Sequence, residues 1–256
     1  MSPLLEVMID AALKAGAEIE RIYGAGCATE WKPDGSPVTE ADRAAEAIIL
    51  RRLHDACPNV PVLAEEAACA GSIPDLGTRF FLVDPLDGTR GFVERNGEFT
   101  VNIALIDHGD PVAGVIYAPD SRALYTGERG AGAFRNLEGA PAETIRTREP
   151  PAAGLTVIAS RSEAEATSAR IAHLPVAAFL PSSSSLKFCL LAEGSADLYP
   201  RYGRTMEWDT GAGHAILEAA GGRVFALAED GSEAGPLRYG KAEQGFANPH
   251  FTARGR

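Results

Sequence analysis

The sequence has no long apolar run, no paired cysteines and no excess of positive charge. Without a run of roughly 20 apolar residues, a transmembrane helix is excluded. The N-terminus shows no basic region followed by an apolar core, so no signal peptide is predicted. The four cysteines are scattered along the chain, which argues against a disulfide framework and a structural zinc site. The formal net charge of −11 argues against nucleic acid as a partner.

The scattered cysteines predict a reduced, cytoplasmic protein. A small anionic ligand stays compatible with the negative charge, because bound cations can invert the local field. The sequence leaves open whether the chain is a monomer or a homodimer, and whether it associates peripherally with the inner face of the membrane.

The order of predicted elements changes near the middle of the chain. Apolar residues at helical spacing predict helices over residues 3–23 and 39–56, and alternating residues predict antiparallel strands over 99–135. Beyond residue 150, short strands alternate with helices. We therefore expect an α/β protein with an α+β domain over 1–150 and an α/β domain over 151–256.

One stretch combines a buried strand with groups that bind ions. The apolar run 80–83 predicts a strand that ends in a turn at an Asp-Pro step. Asp84 and Asp87 follow, with the carbonyl of Leu86 between them and the amides of Gly88-Thr89 after them. Hard oxygen ligands beside anion-binding amides suit a site where a metal holds a phosphate. A turn that uses Asp and Gly for backbone reasons is the alternative.

Further carboxylates lie at the ends of other predicted elements. Asp42 opens the second helix after Thr39, Glu65-Glu66 follows a short strand, and Asp209 lies in the first turn of a later helix. A capping box alone would explain Thr39 and Asp42, and the helix dipole would explain Asp209. Clustered carboxylates repel one another and call for cations, and a set without His or Cys favours magnesium over zinc.

Together these motifs resemble the inositol monophosphatase superfamily of magnesium-dependent, lithium-sensitive phosphatases. The family pattern is an Asp, then Glu-Glu, then Asp-Pro-(Ile/Leu)-Asp-Gly-Thr, then Trp-Asp. The matching residues are Asp42, Glu65-Glu66, Asp84-Pro85-Leu86-Asp87-Gly88-Thr89 and Trp208-Asp209. The resemblance implies a layered αβαβα fold.

Three other stretches resemble the bacterial CysQ-type branch of that family, whose members are 3'(2'),5'-bisphosphate nucleotidases. They are Asn96–Ile106, Ser184–Cys189 and Leu198–Arg201. Arg90-Gly91-Phe92 departs from the Lys-Glu-Phe that is expected in this branch.

The resemblance also implies a role for each matching residue. Magnesium would be held by Glu65, Asp84, the Leu86 carbonyl, Asp87 and Asp209, with Asp84 bridging two ions. Asp42 and Thr89 would orient and deprotonate the attacking water, with Glu66 supporting them. The amides of Gly88 and Thr89 would hold the phosphate that is cleaved.

A substrate with two phosphates needs a second anion site. Ser184 and Ser185 at a helix N-terminus, together with Lys187 and Arg201, are the candidates. A serine cap beside a surface lysine is the alternative. The expected reaction is hydrolysis of adenosine 3',5'-bisphosphate to AMP and phosphate by metal-activated water. An inositol-phosphate or sugar-phosphate phosphatase, or a non-catalytic nucleotide or metal sensor, are the competing interpretations.

Overall fold

The structure is a computed structural model that describes residues 1–32, 35–138, 140–160 and 163–256. The described residues form seven α-helices and fifteen β-strands. The helices are α1 (Pro3–Ala25), α2 (Glu40–Ala56), α3 (Glu65–Cys69), α4 (Thr89–Val93), α5 (Ala164–Arg170), α6 (Leu186–Ala192) and α7 (Glu207–Ala219). The strands are β1 (Thr29–Trp31), β2 (Pro37–Thr39), β3 (Val62–Ala64), β4 (Arg79–Asp87), β5 (Thr100–Asp107), β6 (Asp110–Ala118), β7 (Ala123–Glu128), β8 (Gly132–Leu137), β9 (Glu143–Ile145), β10 (Leu155–Ala159), β11 (Val176–Pro181), β12 (Leu198–Arg201), β13 (Arg223–Leu227), β14 (Glu233–Pro236) and β15 (Phe251–Arg254).

Most strands belong to two sheets. The first has the order β3-β4-β5-β6-β7-β8-β9, and every pair except β3 with β4 is antiparallel. The second has the order β11-β10-β12-β15-β13-β14, and only β11, β10 and β12 are parallel to one another. The mixed α/β class is therefore confirmed, and a short hairpin of β1 with β2 accompanies the sheets.

The apolar run in β4 packs into two separate cores. Phe80 and Leu82 belong to the core between the sheets, where α6 and α7 also lie. Phe81 and Val83 belong to the core under α1 and α2. Because side chains alternate along a strand, a strand buried on both faces is apolar at every position. This is why the run 80–83 is continuous rather than alternating.

These cores establish the layers. Helices α1 and α2 cover one face of the seven-stranded sheet, and α6 and α7 fill the space between the two sheets. From β10 the chain crosses through α5 to β11 on one side, and then returns through α6 to β12 on the other. Right-handed crossovers in opposite directions place their helices on opposite faces of a sheet. Helix α5 is therefore the outer layer of the αβαβα arrangement that the family resemblance implied.

Helix α7 packs closely on the seven-stranded sheet, although it lies in the C-terminal half of the chain. A Cβ added to Gly114 in β6 would come within 2.3 Å of the carbonyl oxygen of Ala212 in α7. The two larger sheets are divided between Ile145 and Leu155. The division into domains at residue 150 stays a prediction. Within the described ranges, no helix is long and apolar enough to cross a membrane.

Candidate active site

The end of β4 carries two of the predicted metal ligands. The strand continues through the Asp-Pro step to Asp87, so the turn predicted directly after Val83 is wrong. Instead, Asp84 pairs with Asn102 and Asp87 pairs with Thr100, which leaves one extra residue on β4. Residues three apart normally face opposite sides of a strand, but such a bulge returns both to the same side. Consistent with this, Oδ2 of Asp87 lies 3.4 Å from Nδ2 of Asn102.

The chain leaves β4 through a left-handed turn at Gly88. Its φ is +88°, and an added Cβ would lie 2.6 Å from the carbonyl oxygen of Glu98. No other residue type fits there without strain. Helix α4 begins at Thr89, whose hydroxyl oxygen lies 2.9 Å from Oδ1 of Asp42 and 3.0 Å from the carbonyl oxygen of Leu86. The turn therefore brings the predicted catalytic pair together.

Asp42 also closes the predicted capping box at the start of α2. Its Oδ2 accepts hydrogen bonds from the backbone amide and the hydroxyl of Thr39, both at 2.7 Å. Burial raises the pKa of the Asp42 carboxyl, although hydrogen bonds from Thr39 and Thr89 oppose the shift. The capping box predicted for Asp42 is thus confirmed, and its other oxygen contacts Thr89. The catalytic role of the pair stays a prediction.

Ser185 links Asp87 to the start of α7. Its hydroxyl oxygen lies 2.8 Å from Oδ2 of Asp87 and 2.9 Å from the carbonyl oxygen of Asp209, and it accepts a 2.9 Å hydrogen bond from Asn102. The Asp209 carboxylate accepts a 2.8 Å hydrogen bond from the amide of Met206. Asn102 was missed at the sequence level, although an amide within an apolar strand was a usable signal.

Glu65 and Glu66 are the first two residues of α3, and a lysine holds both. The ammonium of Lys32 lies 2.7 Å from Oε1 of each carboxylate. Burial disfavours the charged form of Lys32, but the two glutamates outweigh it and raise the pKa of the lysine. Sequence reasoning missed Lys32, because nothing local links a loop residue to acids more than 30 positions away.

The remaining carboxylates are close enough to raise one another's pKa values. Burial raises the pKa of Asp84 well above its usual range, and the charges of Glu65, Asp87 and Asp209 add to the shift. Burial and the charge of Asp87 raise the pKa of Asp209 to about 8. Burial also raises the pKa of Glu65, against the opposing effect of Lys32. Such a group is stabilised by a cation among its members.

The donor set fits a hard divalent cation. The predicted ligands offer only carboxylate and carbonyl oxygens, which suit magnesium, calcium or manganese. Among the residues with described positions, however, no group of three or more His, Cys, Asp or Glu side chains is arranged to hold a metal as it stands. Glu65 is engaged by Lys32 instead. The predicted ligands therefore influence one another's pKa values, and their role as metal ligands stays a prediction.

Two of the residues predicted for a second phosphate, Ser185 and Lys187, lie near Asp87. Lys187 is buried and donates a 2.8 Å hydrogen bond to the carbonyl oxygen of Ser184. Burial lowers its pKa to about 8, with Asp87 raising it and Arg201 lowering it further. Arg201 forms an ion pair with Glu163. Ser185 occupies the cap position of α6 without making a capping hydrogen bond, so the simple serine-cap alternative is wrong.

The sequence of the chain is similar to one family of known proteins over almost its whole length. The model of the inositol monophosphatase family matches residues 1–253. The chain is 42% identical over 252 residues to the 3'(2'),5'-bisphosphate nucleotidase CysQ of Escherichia coli K12. This match covers 97% of this chain and 98% of that relative. With the enzyme of the same name from Salmonella typhimurium it shares 44% identity over 224 residues, or 86% of this chain and 89% of the relative.

Solved structures agree with the sequence comparison. The crystal structure of CysQ from Bacteroides thetaiotaomicron, a bacterial member of the inositol monophosphatase family, is 38% identical with a TM-score of 0.78, and the match covers 98% of this chain and 96% of that one. An inositol monophosphatase from Thermotoga maritima is 26% identical with a TM-score of 0.76, over 98% and 91% of the two chains. The likeness therefore extends over nearly the whole chain.

Proposed function

The chain belongs to the inositol monophosphatase family, and we propose that it is a metal-dependent 3'(2'),5'-bisphosphate nucleotidase. It hydrolyses adenosine 3',5'-bisphosphate to AMP and phosphate. The observation that carries this proposal is the Asp42–Thr89 pair beside buried carboxylates on a chain 42% identical to such nucleotidases. The match extends over 97% of this chain and 98% of the Escherichia coli K12 relative, which supports a shared reaction.

Magnesium is the proposed metal. Glu65, Asp84 and Asp87, with the Leu86 carbonyl and Asp209, would hold it. When bound, divalent cations neutralise phosphate charge, lower the pKa of water and stabilise the leaving oxygen. This role requires Glu65 to exchange its contact with Lys32 for the metal.

Asp42 and Thr89 are proposed to act on the attacking water. The Thr89 hydroxyl would orient the water, and Oδ1 of Asp42 would receive the proton, because Oδ2 is engaged by Thr39. Glu66 would support this pair from the start of α3, and its charge acts on Asp42. The amides of Gly88 and Thr89 would hold the 3'-phosphate as its ester bond to the ribose breaks.

The second phosphate is proposed to bind near Lys187. Ser184, Ser185 and Arg201 surround this position, and the influence of Arg201 on the pKa of Lys187 supports their proximity. A buried cation provides strong, poorly screened attraction for a phosphate. Inositol 1-phosphate has no second phosphate to bind at this position, and this difference favours the nucleotide over the inositol substrate.

A substrate panel tests the proposal. We expect phosphate release from adenosine 3',5'-bisphosphate to have the highest kcat/KM in magnesium, ahead of 3'-AMP, inositol 1-phosphate and fructose 1,6-bisphosphate. The comparison with 3'-AMP isolates the 5'-phosphate, because the cleaved group is unchanged. Preferred hydrolysis of inositol 1-phosphate would identify the chain as an inositol-phosphate phosphatase, and no turnover of any substrate would favour a sensor.

Broader predictions about domain roles and location accompany this function. We propose that residues 1–150 carry most metal ligands and that residues 151–256 supply the second-phosphate contacts. A cytoplasmic location stays a prediction, and the sequence leaves open the choice between monomer and homodimer and any association with the membrane.

A further inference from the structure

Helix α3 carries two predicted active-site acids but has no cap of its own. It is five residues long, and the cap position is occupied by Ala64, whose side chain has no hydrogen-bonding group. So short a helix is unstable alone, and its first amides have no partners within it. Something outside α3 must therefore hold the turn that presents Glu65 and Glu66.

The outside partner is Glu46 on α2. Its Oε2 accepts a 2.8 Å hydrogen bond from the amide of Glu66, and its Oε1 accepts a 2.9 Å hydrogen bond from the amide of Ala67. The side chain is buried, with 7% of its surface exposed. Both oxygens of one carboxyl group thus accept from two successive amides, as a helix-capping side chain does, although burial raises the pKa of Glu46 to about 7.

Glu46 lies one helical turn beyond Asp42 on the same face of α2. Asp42 reaches Thr89 at the end of β4, and Glu46 reaches the start of α3. One helix face therefore contacts both halves of the acidic site. Because Glu65 and Glu66 are the first two residues of α3, any shift of this turn moves both side chains.

We propose that Glu46 is a positioning residue for the metal-binding site. It fixes the first turn of α3 and so places the carboxylates of Glu65 and Glu66 for the metal and for Asp42. This inference rests on the proposed function, which makes Glu65 a metal ligand. Groups that hold ligands in place typically change metal affinity by 10–100-fold when they are altered.

The test uses Glu46→Gln with Glu40→Gln as the matched control. Gln has the same shape, but its NH₂ group faces an amide that also donates, so one hydrogen bond and the charge are lost. Glu40 lies on the same helix, is exposed and has no described contact with α3. The Kd for Mn²⁺ is measured without substrate by electron paramagnetic resonance, since manganese takes the same oxygen ligands as magnesium.

We expect Glu46→Gln to weaken Mn²⁺ binding about 10-fold and to raise the half-saturating magnesium concentration of turnover by a similar factor. Saturating magnesium should recover much of kcat. Amide hydrogen exchange at residues 66 and 67 should accelerate in this variant. Glu40→Gln should match the wild type in each measurement. If Glu46→Gln does not fold, Glu46→Asp keeps the charge with a shorter reach and should show a smaller loss.

A purely structural role for Glu46 would lower Tm and leave the Kd for Mn²⁺ at the wild-type value, and that result overturns the proposal. The binding and exchange measurements need no turnover. A wild-type protein that binds Mn²⁺ but does not hydrolyse the nucleotide would refute the proposed function and still measure the role of Glu46. A wild-type protein that binds no Mn²⁺ would remove the ligand role of Glu65 and, with it, this inference.

Discussion

The hydroxyl oxygen of Thr89 lies 2.9 Å from Oδ1 of Asp42, although 47 positions separate the two residues. The other oxygen of the same carboxylate holds the backbone amide and hydroxyl of Thr39 at the start of α2. Asp42 therefore joins a structural contact and a contact in the candidate site. The two roles can be separated, because each uses a different oxygen and a different partner.

Thr89→Ala and Asp42→Asn should each lower kcat on the order of 10²–10⁴-fold, the usual contribution of a general base and its hydrogen-bonding partner. If both residues act on one water, the double mutant should be scarcely slower than the slower single mutant. Steady-state kinetics with adenosine 3',5'-bisphosphate checks this, together with Tm. Thr89→Ala should melt near the wild-type temperature, since the capping box is untouched.

Thr39→Ala is the control for the structural half of Asp42. Loss of a helix cap costs about 0.5–2 kcal/mol in the free energy of unfolding, and we expect a far smaller effect on kcat than in Thr89→Ala. Near-normal kcat in folded Thr89→Ala and Asp42→Asn proteins would remove both from the catalytic residues and leave Asp42 as a cap alone.

Asp87→Asn should lower activity while stabilising the metal-free protein. It removes one ligand charge at almost constant shape, so magnesium should bind more weakly and kcat should fall. It also relieves repulsion, because the charge of Asp87 raises the pKa values of Asp84 and Asp209. In EDTA we therefore expect a higher Tm than in the wild type. Exposed Asp75→Asn is the control; wild-type magnesium dependence in Asp87→Asn would exclude Asp87 as a ligand.

Much of the fold and the motifs could be predicted, because both depend on patterns among residues that are neighbours in the sequence. The alternation of Phe80 to Val83 between two cores gives a continuous apolar run, and the capping box lies within four residues. Strands β14 and β15 were not predicted, since each is only four residues long and lacks a clear alternating pattern.

The residues of the candidate site that could not be predicted from the sequence depend on contacts between distant segments. Lys32 reaches Glu65 across 33 positions, and Glu46 reaches the amide of Glu66 across 20. Periodicity carries no information about such pairs. The bulge in β4 could not be predicted from the sequence either, because an Asp-Pro step is as typical of a turn as of an irregular strand.

The KM for adenosine 3',5'-bisphosphate should rise above about pH 8 if Lys187 binds the 5'-phosphate. Burial lowers the pKa of Lys187 to about 8. The ammonium is therefore charged below that pH and loses its proton, and its attraction for phosphate, as the pH rises. The KM for 3'-AMP, which lacks the 5'-phosphate, should show no such rise and serves as the internal control. Parallel pH profiles for the two substrates would remove Lys187 from the second-phosphate site.

Lys32→Gln should tighten metal binding. The ammonium of Lys32 lies 2.7 Å from carboxylate oxygens of both Glu65 and Glu66. A metal ion that takes Glu65 must break this contact, so the free energy of the ion pair is subtracted from the free energy of metal binding. Removing the lysine removes this competition, and the Kd for Mn²⁺ should fall. Lys14→Gln removes a positive charge from an exposed pair with Asp10 and controls for the general effect of net charge. If Lys32→Gln weakens Mn²⁺ binding while Lys14→Gln leaves it unchanged, Lys32 supports the metal-bound geometry instead of competing with it.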